Sequence, residues 1–118
     1  MPSRAVAEPI CVDSTTIHET PTTTGGGGPG GPGSWTYTTT GITGEKFIRQ
    51  IVVRSTSPTT TFDFEIIDAN GVMIRQFLIC TGVINDVTPT PVTDNFTVNL
   101  FNVIPNDTFE ILIKVCSS

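Results

Sequence analysis

Few residues in this chain could do chemistry. His18 is the only histidine among 118 residues, and it stands seven positions after Cys11. A Cys–His pair could act as nucleophile and base, or give two ligands to zinc. A zinc site takes about four closely arranged ligands, and Cys80 and Cys116 are distant in sequence and form no CxxC pattern with Cys11. Nucleophilic catalysis needs rigid placement to fractions of an ångström, whereas Cys11 and His18 sit in a polar N-terminal stretch. The preferred reading is an exposed arm residue. Asp63 and Glu65 form the second candidate set. In an extended strand they share a face about 7 Å apart, a spacing that suits the carboxylate pair of an inverting glycosidase. A solvated face of a half-buried strand shows the same alternation, and that reading is preferred here. Asp68 and Asn70 lie in DANG, where turn chemistry explains both; the further carboxylates of a calcium loop are missing. The run Gly25 to Gly33, GGGGPGGPG, is followed by no Lys-Ser/Thr pair and opens no helix, so it does not read as a phosphate cradle. Trp35 and Tyr37, near Phe47, could form an aromatic sugar platform. They are read instead as core residues or interface anchors. The expectation is a protein that is not an enzyme, with no catalytic set, no cofactor and no metal.

These residues must be positioned by strands. From Thr61 to Cys80 the chain reads TFDFEII, DANG, VMIRQFLIC. Phe62, Phe64 and Ile66 alternate with Asp63 and Glu65, and Asn70-Gly71 supplies residues that tolerate positive φ, so this is a β-hairpin. WTYTTT from Trp35, EKFIRQIVVR from Glu45, FTVNLF from Phe96 and FEILIKV from Phe109 supply further strands. In the second of these Phe47, Ile51 and Val53 share a face with Arg49 while Ile48 and Val52 take the other, so either both faces are covered or a bulge shifts the register. Thr81 to Asp94 holds two prolines and a glycine and reads as a crossing loop, with a short extended piece at Val83 to Val87. No 3.6-residue apolar pattern with caps is present. The expected fold is all-β: an antiparallel β-sandwich, Ig-like or jelly-roll-like, of six to seven strands with an extended N-terminal arm. Residues 1–24 are the arm, in which VDSTTIHET could pair as a strand only if a sheet edge accepts it, 25–33 a Gly/Pro linker, and 34–118 the sandwich domain. The expected core is Phe47, Ile51, Val53, Phe62, Phe64, Ile66, Ile74, Phe96, Val98, Leu100, Phe109, Ile111 and Ile113. Ile10, Val12 and Ile17 are the arm's apolar residues and the expected partner-binding positions, by strand addition or groove filling.

Composition narrows the partners. A net charge of −5 and a pI near 4.5 disfavour a polyanion, hence no nucleic acid as ligand. No stretch is long and apolar enough to span a membrane, and MPSRAVAEPICVD carries no apolar run of a secretory signal. The chain is expected to be made in a cytoplasm, with its odd number of cysteines as thiols. A domain this small gains from oligomerisation or docking.

The order of the globular part resembles small β-domains in virion proteins of tailed bacteriophages. VRSTSPTTTFDFEIIDANGVMIR, the Pro-bearing loop, FTVNL and NDTFEILIKV carry the likeness, over Lys46 to Val115. Capsid decoration (cement) proteins of such phages are similar in being short, acidic and Thr-rich with a terminal arm. The resemblance implies a structural virion protein, assembled in the host cytoplasm, that binds the major capsid protein and ties capsomers together, with a homotrimer as its expected oligomer. Neck, tail or fibre-associated proteins are the alternative position, and a carbohydrate-binding or adhesion module the alternative function. The long Gly/Pro run and the three cysteines depart from the pattern.

Overall fold

Apolar side chains at every second position, rich in β-branched and aromatic types, can only be buried together if the chain is extended. The computed structural model describes residues 10–25, 33–57, 59–103 and 107–117. Its strands are β1 (Ser14–Glu19), β2 (Thr24–Gly25), β3 (Gly33–Thr38), β4 (Lys46–Ser55), β5 (Thr61–Ile67), β6 (Met73–Thr81), β7 (Val83–Asp86), β8 (Thr90–Val92), β9 (Thr97–Val103) and β10 (Phe109–Ser117). They form two antiparallel sheets packed face to face. One runs β1-β10-β4-β7, with β8 also on β4; the other runs β2-β3-β9-β5-β6.

With the two- and three-residue strands β2 and β8 set aside, the first strand pairs with the eighth (β1·β10), the second with the seventh (β3·β9), the third with the sixth (β4·β7) and the fourth with the fifth (β5·β6). The chain is thus one long two-ply ribbon whose rungs alternate between the sheets. This is the jelly-roll arrangement rather than the Ig-like one. Phe62, Phe64, Ile66, Phe96, Val98, Leu100, Phe109, Ile111 and Ile113 fill the space between the sheets, joined by Ile48, Ile51, Val53 and Val115. Phe62 and Phe109 meet edge to face with centroids 5.2 Å apart, a favoured geometry for two quadrupoles.

Four expectations need correction. The arm is, over Ser14–Glu19, a strand of the domain's own sheet, in register with Ile111 to Cys116 of β10. Its alternation is poor because five of its six residues are polar, but β10 offers an open edge, and backbone pairing needs no apolar side chain. Second, Gly25 and Gly33, the two ends of the Gly/Pro run, pair with each other; residues 26–32, like 1–9, lie outside the described residues. Third, the crossing loop carries its expected extended piece as β7, Val83–Asp86, but adds a second short strand, β8; both share one side of β4. Fourth, Cys11 and Cys116 are not thiols. They form a disulfide with a Cα–Cα distance of 5.0 Å across 105 positions, and Cys80 is the free thiol. Distance along the chain gave no hint of this, because the ribbon brings its two ends together.

The impure alternation of β4 has a definite cause. Lys114 pairs with Gln50 but Val115 with Ile48, so Arg49 is an extra residue, a β-bulge. Ile48 thereby joins Ile51 and Val53 on the core face. Phe47 is buried outside the main core, register partner of Cys116 on the opposite face. Ile74 is half-buried rather than central.

Candidate docking surface

The β6–β7 flank is where the regular pattern is most disturbed. Phe62 pairs with Cys80 but Phe64 pairs with Phe77, so Asp63 faces two residues, Leu78 and Ile79. This bulge puts Ile79 at φ 52°, a left-handed conformation that costs an L residue roughly 1–2 kcal/mol, more so when β-branched. The cause of its persistence is Asp63. One carboxylate oxygen accepts the Ile79 N–H at 2.7 Å and the other accepts the Asn102 side-chain amide at 2.6 Å. Asn102 is itself at φ 53°. Both left-handed non-glycine residues of the described chain are therefore tied to one carboxylate, which is only 8% exposed. Hydrogen bonds to an ionised acceptor contribute about 1.5–3 kcal/mol each, enough to hold the strain.

The consequence is presentation. Ile79 is 82% exposed and Leu78 51% exposed. Val72 and Met73 at the start of β6, Val83 on β7 and Val87 just beyond it are also exposed. Six of the eight large exposed apolar residues among the described residues thus fall between positions 72 and 87, on or beside the neighbouring edge strands β6 and β7. An ion pair between Arg75 of β6 and Asp86 of β7 ties the two sheets together at this flank, and the Arg75 guanidinium lies 5.2 Å from the Phe77 ring centroid. Exposed apolar side chains gathered on two neighbouring edge strands mark an interaction surface more readily than single residues scattered over the domain do.

The other candidates are placed as follows. Asp63 is not the solvated carboxylate expected; the bulge encloses it. Glu65 stays on the outer face of its sheet, where Asn99 donates to it at 3.3 Å, Thr36 donates to Asn99 at 2.9 Å, and Thr38 meets Thr97 at 3.1 Å. Asp63 and Glu65 are each engaged by an asparagine amide from β9, with no shared cleft. The Asp68 carboxylate accepts the N–H groups of Asn70 and Val72, both at 2.9 Å, closing the hairpin turn that Gly71 completes at φ 82°. Trp35 and Tyr37 stack with centroids 5.9 Å apart. They pair with the core residues Leu100 and Val98, so their rings point toward the inter-sheet side, where both are half-buried and Trp35 packs on the core. Ile17 is half-buried against the same core, while Ile10 and Val12 remain 78% and 64% exposed.

Cys11 has no thiol to offer His18. The His18 ring instead meets Glu110 at 3.3 Å, and Arg54 pairs with the same carboxylate. The Arg54 hydrogen bond, aided by His18 and outweighing partial desolvation, holds the Glu110 carboxyl below its usual range. Burial, and secondly the negative charge of Asp63, push the Cys80 thiol above its usual range, which makes it a poor nucleophile. Among the described residues no group of three or more His, Cys, Asp or Glu side chains could hold a metal ion, and no helix is long and apolar enough to cross a membrane.

Sequence reasoning missed the Asp63 clasp. VMIRQFLIC reads as one strand of the hairpin, and the position of a bulge within it depends on the partner strand. No known protein family matches the chain, and no curated protein is similar to it.

Proposed function

We propose that this chain is a non-enzymatic structural protein of a bacteriophage virion, a capsid decoration protein whose partner is the major capsid protein. The observation that carries the reading is the set of exposed apolar residues on the β6–β7 flank, among which Ile79 is held in a left-handed conformation by the Asp63 carboxylate. Strain maintained on an exposed hydrophobic residue is costly to a domain of marginal size, and such cost concentrates where a surface functions. The jelly roll is also the architecture of many viral shell domains, an analogy of fold alone. A small rigid domain repeated over a shell gains by multivalency what each copy lacks in contact area. Ile10 and Val12 extend the contact from the opposite flank. Ile17 belongs to the domain's own sheet, so it leaves the set of partner-binding residues.

Cosedimentation with purified capsids tests this. The protein is expected to pellet with expanded shells, and Ile79→Asp with Leu78→Asp to stay in the supernatant while melting as the unaltered protein does. A double variant that pellets equally well removes the β6–β7 flank from the reading, and failure of the unaltered protein to bind any virion component removes the reading itself. Position at the neck, tail or fibre is the alternative outcome, read from which component it pellets with.

A further inference from the structure

The most separable element of this fold is its first strand. From Val12 to Asp13 and along β1, the chain's bonds go to the last strand: Val12 donates to the Ser117 carbonyl at 3.0 Å, Ser117 donates to that of Asp13 at 2.9 Å, and Ser14 to Glu19 pair with Cys116 to Ile111. Next, Phe109 donates to the Pro21 carbonyl at 2.9 Å, Thr22 meets Thr108 at 3.2 Å and Thr23 donates to the Asp107 carbonyl at 2.9 Å. The disulfide joins the same two segments. Of the six β1 side chains, four are exposed, and Ile17 is the one apolar residue it lends to the core. This segment is connected onward through Thr24 and Gly25, which pair with Ser34 and Gly33 of β3 and would part from them on exchange, and then through GGGPGGP, residues 26–32.

We propose that the β10 edge is a strand-accepting site whose occupant, in an assembled form, is β1 of a second copy of this chain. Every bond named above on β10 would be reproduced between two chains, because donor and acceptor strand are the same in both. Exchange then costs mainly the entropy of association and of opening a glycine-rich connection, with little apolar surface uncovered in passing. The Cys11–Cys116 bond would pass from within a chain to between chains, converting a noncovalent assembly into a linked one. The inference stands on the strand register and the disulfide, and does not need the virion assignment.

The test separates the two cysteines. One chain carries Cys11→Ser and Cys80→Ser, the other Cys116→Ser and Cys80→Ser with an affinity tag. The two are reduced, unfolded together, refolded together at high concentration and then oxidised. Exchange joins Cys11 of the tagged chain to Cys116 of the untagged one. A covalent heterodimer is expected in excess of about tenfold over either homodimer, where random pairing gives about twofold, because docked strands hold the two sulfurs at high effective concentration. A heterodimer at or below the random share overturns the proposal. If either variant fails to refold, the Cys80→Ser chain, which keeps only Cys11 and Cys116, is carried through the same steps. Exchange then gives a dimer on a non-reducing gel that collapses to single chains with dithiothreitol, and single chains alone overturn it.

Discussion

Asparagine at position 63 puts the clasp to a quantitative test. The carboxylate accepts two hydrogen bonds, from Ile79 N–H and from the Asn102 amide, in a site only 8% exposed. Two effects oppose each other. Hydrogen bonds to an ionised acceptor contribute about 1.5–3 kcal/mol each against about 0.5–1.5 for a neutral one. Burying a carboxylate costs several kcal/mol when its partners are poor. In Asp63→Asn the side-chain oxygen can keep the Ile79 N–H, and Asn102 can turn its amide over to accept from the new NH2 group. Both bonds survive as neutral ones, so the loss is about 1 kcal/mol per bond, or about 2 kcal/mol in all. For a domain of this size that is a fall of roughly 6–10 °C in Tm. Asp63→Ala removes both bonds and leaves the Ile79 N–H unpaired, so it should cost more than Asn does. The assay is calorimetric unfolding of the three proteins, with hydrogen exchange at the Ile79 amide as the local readout. An Asn variant as stable as the original, or more so, would mean that desolvation outweighs the bonds, and the account of how Ile79 is held would then be refuted. Ile79→Gly supplies the converse: it relieves the left-handed strain without removing buried surface, and should stabilise by up to about 1 kcal/mol.

Reduction of Cys11–Cys116 should lower stability by about 2–5 kcal/mol, since the bond closes most of the chain into one loop; urea unfolding with and without reductant checks this, and Cys116→Ser, which puts a hydroxyl at a fully buried position, should cost more than Cys11→Ser. Glu110 has a lowered carboxyl pKa when folded, so its contribution is present above the unfolded pKa and is lost as pH falls through the folded value. Because the Arg54 and His18 partners are solvent-exposed, acid unfolding of Glu110→Gln and of the unaltered protein should converge in high salt. Cys80, with its raised pKa, should alkylate more slowly in the folded protein than in urea at the same mildly alkaline pH, as read by mass spectrometry.

What was legible in the sequence was whatever is set by neighbours two residues apart. Phe62, Phe64 and Ile66 announced their face by alternation, and DANG announced its turn; all three phenylalanine and isoleucine positions are buried, and Asp68 closes the turn with its own carboxylate. What was not legible depends on pairing across the sheet. The bulge at Arg49 explains why β4 alternates badly, yet only the β10 register locates it. The bulge at Leu78 and Ile79 buries Asp63 against all expectation from its strand position. Ser14 to Glu19 lacks the apolar content that marks a strand, because an edge strand of a jelly roll is held by its backbone. The same registry turns two cysteines 105 positions apart into neighbours.

The place of the disulfide follows from the ribbon. Its hairpin end, β5·β6, is closed by a turn of a few residues and secured by Phe62, Phe64 and Ile66 on the core side. Its open end, β1·β10, must close through the glycine-rich connection, and β1 contributes only Ile17, half-buried, to the core. Ordering the backbone of six residues costs about 1–2 kcal/mol per residue. Ladder bonds return about 1 kcal/mol each and a partly buried isoleucine about 1–2. Those terms come near to cancelling, so the ladder by itself would leave this rung fraying in water. A cross-link beside Ser117, one step from the last rung, tips that balance and needs no additional apolar surface to do so. Opening that bond is the step on which the proposed exchange with a second copy would depend.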